Sequence, residues 1–144
     1  WRPRAKAFAR AVKDILETLP EDKLKGRSPA EGEIVTYHDS CRAAHAQWLR
    51  AQPRAALKNL AGSSFVELPE SDWFCGGAGA YAFTQPALSG LVADRKIRTL
   101  ASTRAGTVIV GATSCLLEIN AGLRQKYPSA KAVHYSVFMD NLTR

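Results

Sequence analysis

A chain of 144 residues, 46% of them hydrophobic, is the size of one domain with its own core, and neither a membrane-spanning apolar run nor an export signal is visible in it. Its formal net charge is +7, but the 20 basic residues are scattered, without clustering or aromatic interleaving. A nucleic-acid partner is therefore set aside in favour of a basic solvated surface or a patch for an acidic partner. Three widely spaced cysteines are an odd number and make no disulfide framework. They point to a reducing compartment, hence the cytoplasm, free or peripheral at the inner face of the membrane.

The chain starts on Trp1 rather than methionine and reads as a piece of a longer protein. Residues 1–19 carry Phe8, Val12, Ile15, Leu16 and Leu19 at helical spacing, with most of the basic residues on other faces. This predicts an amphipathic helix that covers the sheet or docks on another domain. Pro20 ends it, and residues 21–32 form a charged connector broken by Gly26, Pro29 and Gly32. Glu33–Tyr37 is a first strand, and Asp39 or Ser40 is the candidate N-cap of a helix running to about Arg50. Pro53 opens a short helix to Leu60, closed by Gly62.

Ser64–Leu68 reads as a second strand stopped by Pro69, followed by the run Trp73-Phe74-Cys75-Gly76-Gly77-Ala78-Gly79-Ala80-Tyr81. Pro86 starts a long helix with a stripe through Leu88, Leu91, Val92, Arg95, Ile97, Thr99 and Leu100. Thr107–Val110 is a third strand, apolar throughout as expected of one buried on both faces. A helix from Cys115 to Lys126, a fourth strand Ala130–His134 and a closing helix Tyr135–Leu142 complete the chain. The alternation predicts an α/β fold: a four-stranded parallel sheet with helices on both faces, Rossmann- or flavodoxin-like in three layers, preceded by the N-terminal helix. Residues 1–32 are the helix and connector, and 33–144 the α/β domain.

In such a sheet Cys41, Cys75 and Cys115 all follow strand carboxyl ends, the edge where open α/β sheets place ligands. Cys41 and Cys115 stand at predicted helix starts, where the dipole lowers a thiol pKa. Gly76 and Gly77 leave backbone N–H groups free to meet the sulfur of Cys75. The alternative is three small buried hydrophobes, since no Cys-x-x-Cys pair is present.

Tyr37-His38-Asp39-Ser40-Cys41, Cys75-Gly76-Gly77-Ala78-Gly79 before Tyr81, and Cys115-Leu116-Leu117 resemble the cysteine-rich (CCG) domain. That domain occurs in iron–sulfur subunits of glycolate oxidase, lactate-utilisation proteins, anaerobic glycerol-3-phosphate dehydrogenase and heterodisulfide reductase. His45-Ala46-Gln47, Glu67-Leu68-Pro69-Glu70 and Thr84-Gln85-Pro86 are most similar to the glycolate oxidase branch. The family motif is a cysteine, a Cys-Cys-Gly and a Cys-x-x-Cys; here Phe74 and Ala112 stand where two of those cysteines are expected.

The resemblance implies an iron–sulfur cluster of the [4Fe–4S] type on Cys41, Cys75 and Cys115, with His38 as a nitrogen candidate for the open iron. It implies electron transfer within a glycolate- or lactate-type 2-hydroxy-acid oxidase or dehydrogenase, without complete activity in this chain alone. The implied partners are a flavin-containing oxidase subunit and a ferredoxin-like part of the same protein. A cluster at such a rim is open to loss from an isolated fragment handled in air. Two alternatives stand beside this: zinc on three thiolates plus histidine or water, and a metal-free domain kept as a structural or subunit-docking module. Each candidate also has a plain structural reading. His38 would hydrogen-bond the loop of Cys41, Asp39 would cap a helix, and Trp48 and Trp73 would pack.

Overall fold

The computed structural model describes residues 1–18, 28–77 and 79–143. Leu19, the stop at Pro20, Gly26 and Ala78 fall outside the described residues. Three parallel strands, β1 (Val35–His38), β2 (Thr107–Val110) and β3 (Lys131–His134), pair in the order β1-β2-β3. Val35 stands opposite Thr107 and Thr107 opposite Lys131, so the three ends that carry His38, Val110 and His134 are level.

Side chains alternate across this sheet. Val35, Tyr37 and Ile109 pack on one face with Leu57 and Leu60 of helix α3 (Ala51–Ala61) and with Tyr135, Phe138 and Met139 of the closing helix (Tyr135–Thr143). Val108, Val110 and Ala132 pack on the other with Ile97 and Leu100 of a long helix (Pro86–Ser102) and with Cys115, Ile119 and Leu123 of the next (Thr113–Lys126). Helices thus cover both faces, and β1 and β2 are buried along their whole length, as expected for β2 from its continuously apolar run.

The second of the four expected strands, Ser64–Leu68, is not formed, so the sheet has three strands. Gly62–Ser64 is a tight 3₁₀ turn, and a single parallel bridge, Phe65 to Val35, is all that pairs. The Val66 N–H donates to the Val35 carbonyl, but the Val66 carbonyl is taken by the Thr36 hydroxyl at 2.8 Å rather than by a second rung. Pro69, which has no N–H to offer, follows at once. The segment still runs where an edge strand would, held by side chains instead of a ladder.

The N-terminal helix is present but divided. Helix α1 (Arg2–Ala11) buries no residue, and α2 (Ile15–Thr18) restarts after Asp14. Asp14 and Glu17 cap α2 reciprocally: the Leu16 N–H donates to Asp14 Oδ1, and the Asp14 N–H to Glu17 Oε1. Among the described residues of the predicted apolar stripe, Leu16 enters the core, lying against Gly111, whereas Phe8, Val12 and Ile15 remain exposed.

Two further expectations are corrected. The helix from Asp39 or Ser40 to Arg50 is a short π-helical turn, Arg42–Ala46, without a side-chain cap, and Trp48 at φ 59° interrupts it. Trp48 is 78% exposed and is therefore no core residue. After the short helix α4 (Tyr81–Thr84), the Pro86–Ser102 helix, α5, buries Ser89, Ala93, Lys96, Ile97 and Leu100 and leaves Leu88 and Leu91 outside. Lys96 lies on this buried face, its ammonium turned inward to the Glu70 and Ser71 carbonyls.

Helices α5 and α6 (Thr113–Lys126) meet at Gly122, where an added Cβ would stand 2.6 Å from Ile97 Cγ1. Gly122→Ala is expected to destabilise the fold by about 1–3 kcal/mol through overpacking. A lower urea midpoint with unchanged slope is the readout; an unchanged midpoint would refute the tight crossing.

Candidate metal centre

Parallel strands place all their exits at one edge, and the ligand candidates meet there. His38 is the last residue of β1, and alternation turns it to the face that carries Val108 and Val110. Cys115 lies in the first turn of α6, two residues after Thr113. Cys75 arrives on the loop that follows the edge segment. The ligand atoms of His38, Cys75 and Cys115 all lie within 4.8 Å of one another, and all three residues are buried. The Cys75 and Cys115 sulfurs are 3.5 Å apart. Cys41, at the head of the π-helical turn and only partly buried, is not in this group. It lines the same cavity, of about 440 Å³, together with Phe74 and Ala112 at the motif positions that lack sulfur.

Neither ring nitrogen of His38 has a hydrogen-bond partner, although the residue is 1% exposed. The expected loop hydrogen bond is therefore not made. A buried imidazole without partners is costly, and here its nitrogen stands beside two sulfurs, the arrangement of a ligand set.

The two close thiols share one hydrogen bond, and their ionisation splits. The bond to Cys115 first, then the His38 side chain and the Gly77 N–H, pull Cys75 down to about 4 against the opposing effect of burial. Cys115 is pushed up, by sharing with Cys75 and by burial. The Gly77 N–H favours charge on Cys75, whereas at Cys115 the Ser114 side chain only partly offsets the rise. Sharing with Cys75 and burial thus outweigh, at Cys115, the lowering expected of a helix start, and the Gly77 N–H acts on Cys75 as foreseen. Gly76 serves differently: its φ is +96°, and a Cβ would sit 2.8 Å from the Ser89 carbonyl, so only glycine lets the loop lie on α5. The Ser89 hydroxyl fixes it there by donating to the Gly76 carbonyl.

The remaining aromatic and histidine candidates have plain surroundings. Trp73 stacks under the Arg95 guanidinium at 3.9 Å, and Tyr81 lines a second, apolar pocket with Phe74, Gly76 and Val92. His45 is next to Arg50, and His134 pairs with the Ser136 hydroxyl. Asp39 caps no helix; its buried carboxylate receives the Arg54 guanidinium.

Three residues near the centre were not singled out in the sequence. Arg54 holds Asp39. Glu118, whose Cβ faces Gly77, has its carboxyl pushed up by burial and by the Cys75 charge. Lys96 is 1% exposed, and its ammonium donates to the carbonyls of Glu70 at 2.6 Å and Ser71 at 3.4 Å. The signal for Lys96 was its place one turn after Ala93 on the face that packs inward. Nothing local separated Arg54 from the other basic residues.

Residues 35–120 match the family profile described as the cysteine-rich domain, CCG. The chain belongs to the cysteine-rich (CCG) domain family. It is similar to the "Probable glycolate oxidase iron-sulfur subunit" of Bacillus subtilis (strain 168), 31% identical over 138 residues, which are 93% of this chain and 31% of that one. It is also similar to "Lactate utilization protein A" of Exiguobacterium sp. (strain ATCC BAA-1283 / AT1b), 28% identical over 138 residues, 93% of this chain and 55% of the relative. The protein of the same name from Oceanobacillus iheyensis is 28% identical over 106 residues, 74% of this chain and 43% of the relative. The chain thus spans from about a third to just over half the length of these relatives.

Burial brings the Lys96 pKa down to about 8, with Cys75 foremost among the charges that hold it up. The folded value lies below the unfolded one of 10.5, so the unfolded state holds the extra proton between these values. Stability therefore rises as pH climbs from about 8 to 10.5, by on the order of 3 kcal/mol in full. Urea unfolding of the parent and Lys96→Met at pH 7.5, 9 and 10.5 checks this: the parent should gain on the variant across the series. A constant difference would mean that Lys96 does not titrate there.

Proposed function

We propose that this chain is the metal-binding, electron-transferring domain of a protein that serves glycolate- or lactate-type 2-hydroxy-acid oxidation. The observation that carries the reading is the convergence of His38, Cys75 and Cys115 within 4.8 Å, with both imidazole nitrogens bare. The names of the relatives, an iron–sulfur subunit of glycolate oxidase and lactate-utilisation proteins, supply the reaction class. Residues 33–144 form this domain and residues 1–32 its N-terminal extension. A flavin-containing subunit delivers electrons, a ferredoxin-like portion of the longer protein passes them on, and the reducing cytoplasm keeps the thiols free.

The donor set fits an iron–sulfur cluster of the [4Fe–4S] type. Cys75 and Cys115 would hold it, with Cys41 across the cavity as the third thiolate and His38 as the nitrogen ligand. Such a cluster supplies one-electron storage. The chain's own part is to favour the thiolate at Cys75, through the Gly77 N–H beside its sulfur, and to keep water from the imidazole at a buried edge.

One distance favours a second reading, a single tetrahedral ion such as zinc. With zinc–sulfur bonds of about 2.3 Å, two thiolates on one ion stand roughly 3.8 Å apart, close to the 3.5 Å between Cys75 and Cys115. Thiolates on separate irons of a cluster stand further apart. Protein purified and reconstituted without oxygen, with iron, sulfide and zinc measured, decides between them. A brown sample with stoichiometric sulfide supports the cluster, a colourless zinc-loaded one the single ion, and a metal-free one refutes both and leaves a docking module. Cys75→Ser is expected to lower metal affinity by roughly 10-fold or more with the far-ultraviolet dichroism unchanged; full occupancy would remove Cys75 from the centre.

A further inference from the structure

The ligand loops are carried by different elements, and one side chain joins them. Arg54 rises from α3, whose Leu57 and Leu60 fix it on the sheet. Its Nη1 and Nη2 donate to the two oxygens of Asp39 at 2.8 and 2.6 Å. Nη2 also donates to the Ser71 hydroxyl at 2.8 Å, Nη1 to the Arg50 carbonyl at 2.9 Å, and Nε to Glu67 at 2.7 Å. All five guanidinium N–H donors are thereby engaged, and the plane lies over the Tyr37 ring at 5.4 Å. Asp39, 2% exposed, directly follows His38 and precedes Cys41 by two residues. Ser71 leads into Cys75, and its carbonyl accepts from the Asp39 N–H at 3.1 Å.

We propose that Arg54 is a positioning residue for the metal centre: it locks the loop carrying His38 and Cys41 to the segment that delivers Cys75. This rests on the metal-binding reading above. A buried ion pair is a poor way to gain stability, because apolar residues of similar volume do as well or better, but it fixes geometry tightly. The planar fork also explains why the edge segment keeps its place without a strand ladder. Arg50 spans similar ground, from the Ala44 carbonyl to Asp72, yet its pair is half-exposed and screened.

The test uses the 144-residue chain, without oxygen, as parent, Arg54→Lys, the double variant Asp39→Asn with Arg54→Met, and Arg50→Met. The double variant removes both charges together, so that no bare carboxylate is left buried to block folding. Amide hydrogen exchange reads the lock itself: exchange at residues 38–41 and 70–75 should quicken about tenfold or more in both Arg54 variants while β2 and α6 keep their protection. Cobalt(II) titration reads its consequence: the Kd should rise about 10- to 100-fold and the thiolate charge-transfer band per cobalt should weaken. Arg50→Met should stay within about twofold of the parent. Unchanged exchange at both segments overturns the lock. Quickened exchange with parental cobalt affinity and spectrum overturns the positioning role and leaves a structural one. A parent that binds no cobalt sinks the metal reading and the positioning role with it.

Discussion

Parallel pairing is the constraint from which the rest follows. Strands that run the same way must all leave the sheet at the same edge, whatever their separation in sequence. Helices on both faces close the sides to water, so polar chemistry is admitted only at that edge. His38 and Cys115 are 77 positions apart in number and nevertheless share one small volume with Cys75. The period of two then sorts the residues: Tyr37 goes to the α3 face, and its neighbour His38 goes to the face of α5 and α6.

Cations converge on one stretch, residues 67–72, which overlaps and continues the segment without a sheet ladder. Arg54 reaches it from the α3 face and Lys96 from the α5 face. Arg50 and Arg95 add exposed pairs with Asp72 and Glu70. Backbone pairing was replaced by cations that bind carbonyls and carboxylates. Such bonds are directional and depend on the helices being in place, so the position of the Cys75 loop depends on the packing of α3 and α5.

This explains what could be read in the chain beforehand. Thr107–Val110 was legible because four residues suited to a doubly buried strand leave little else to be. The meeting of Cys75 with Cys115 was legible from topology alone. The segment Ser64–Leu68 was not, since its propensity is that of a strand and its competitors, the Thr36 hydroxyl and the Arg54 fork, are distant in sequence. The face of α5 was misplaced for a related reason: a lysine is assigned to solvent until its acceptors are known. The separation of Cys41 from the close group depends on the π-helical turn, which nothing in Arg42–Ala46 announces. The rise of Cys115 depends on a proton shared across two elements, whereas the reading from sequence considered its own helix alone.

Cys115 occupies one buried stripe of α6 with Ile119 and Leu123, at successive four-residue steps. The thiol is therefore a core residue and a ligand candidate at once. Any ion it holds is bound by the folded state and hardly at all by the unfolded chain, and binding energy of that kind is folding energy. Filling the centre would slow opening of the α6 face, and emptying it would raise the fraction of molecules exposed to proteases. If the centre is a metal site, as proposed, the lifetime of the polypeptide would become a record of whether it has been supplied with metal.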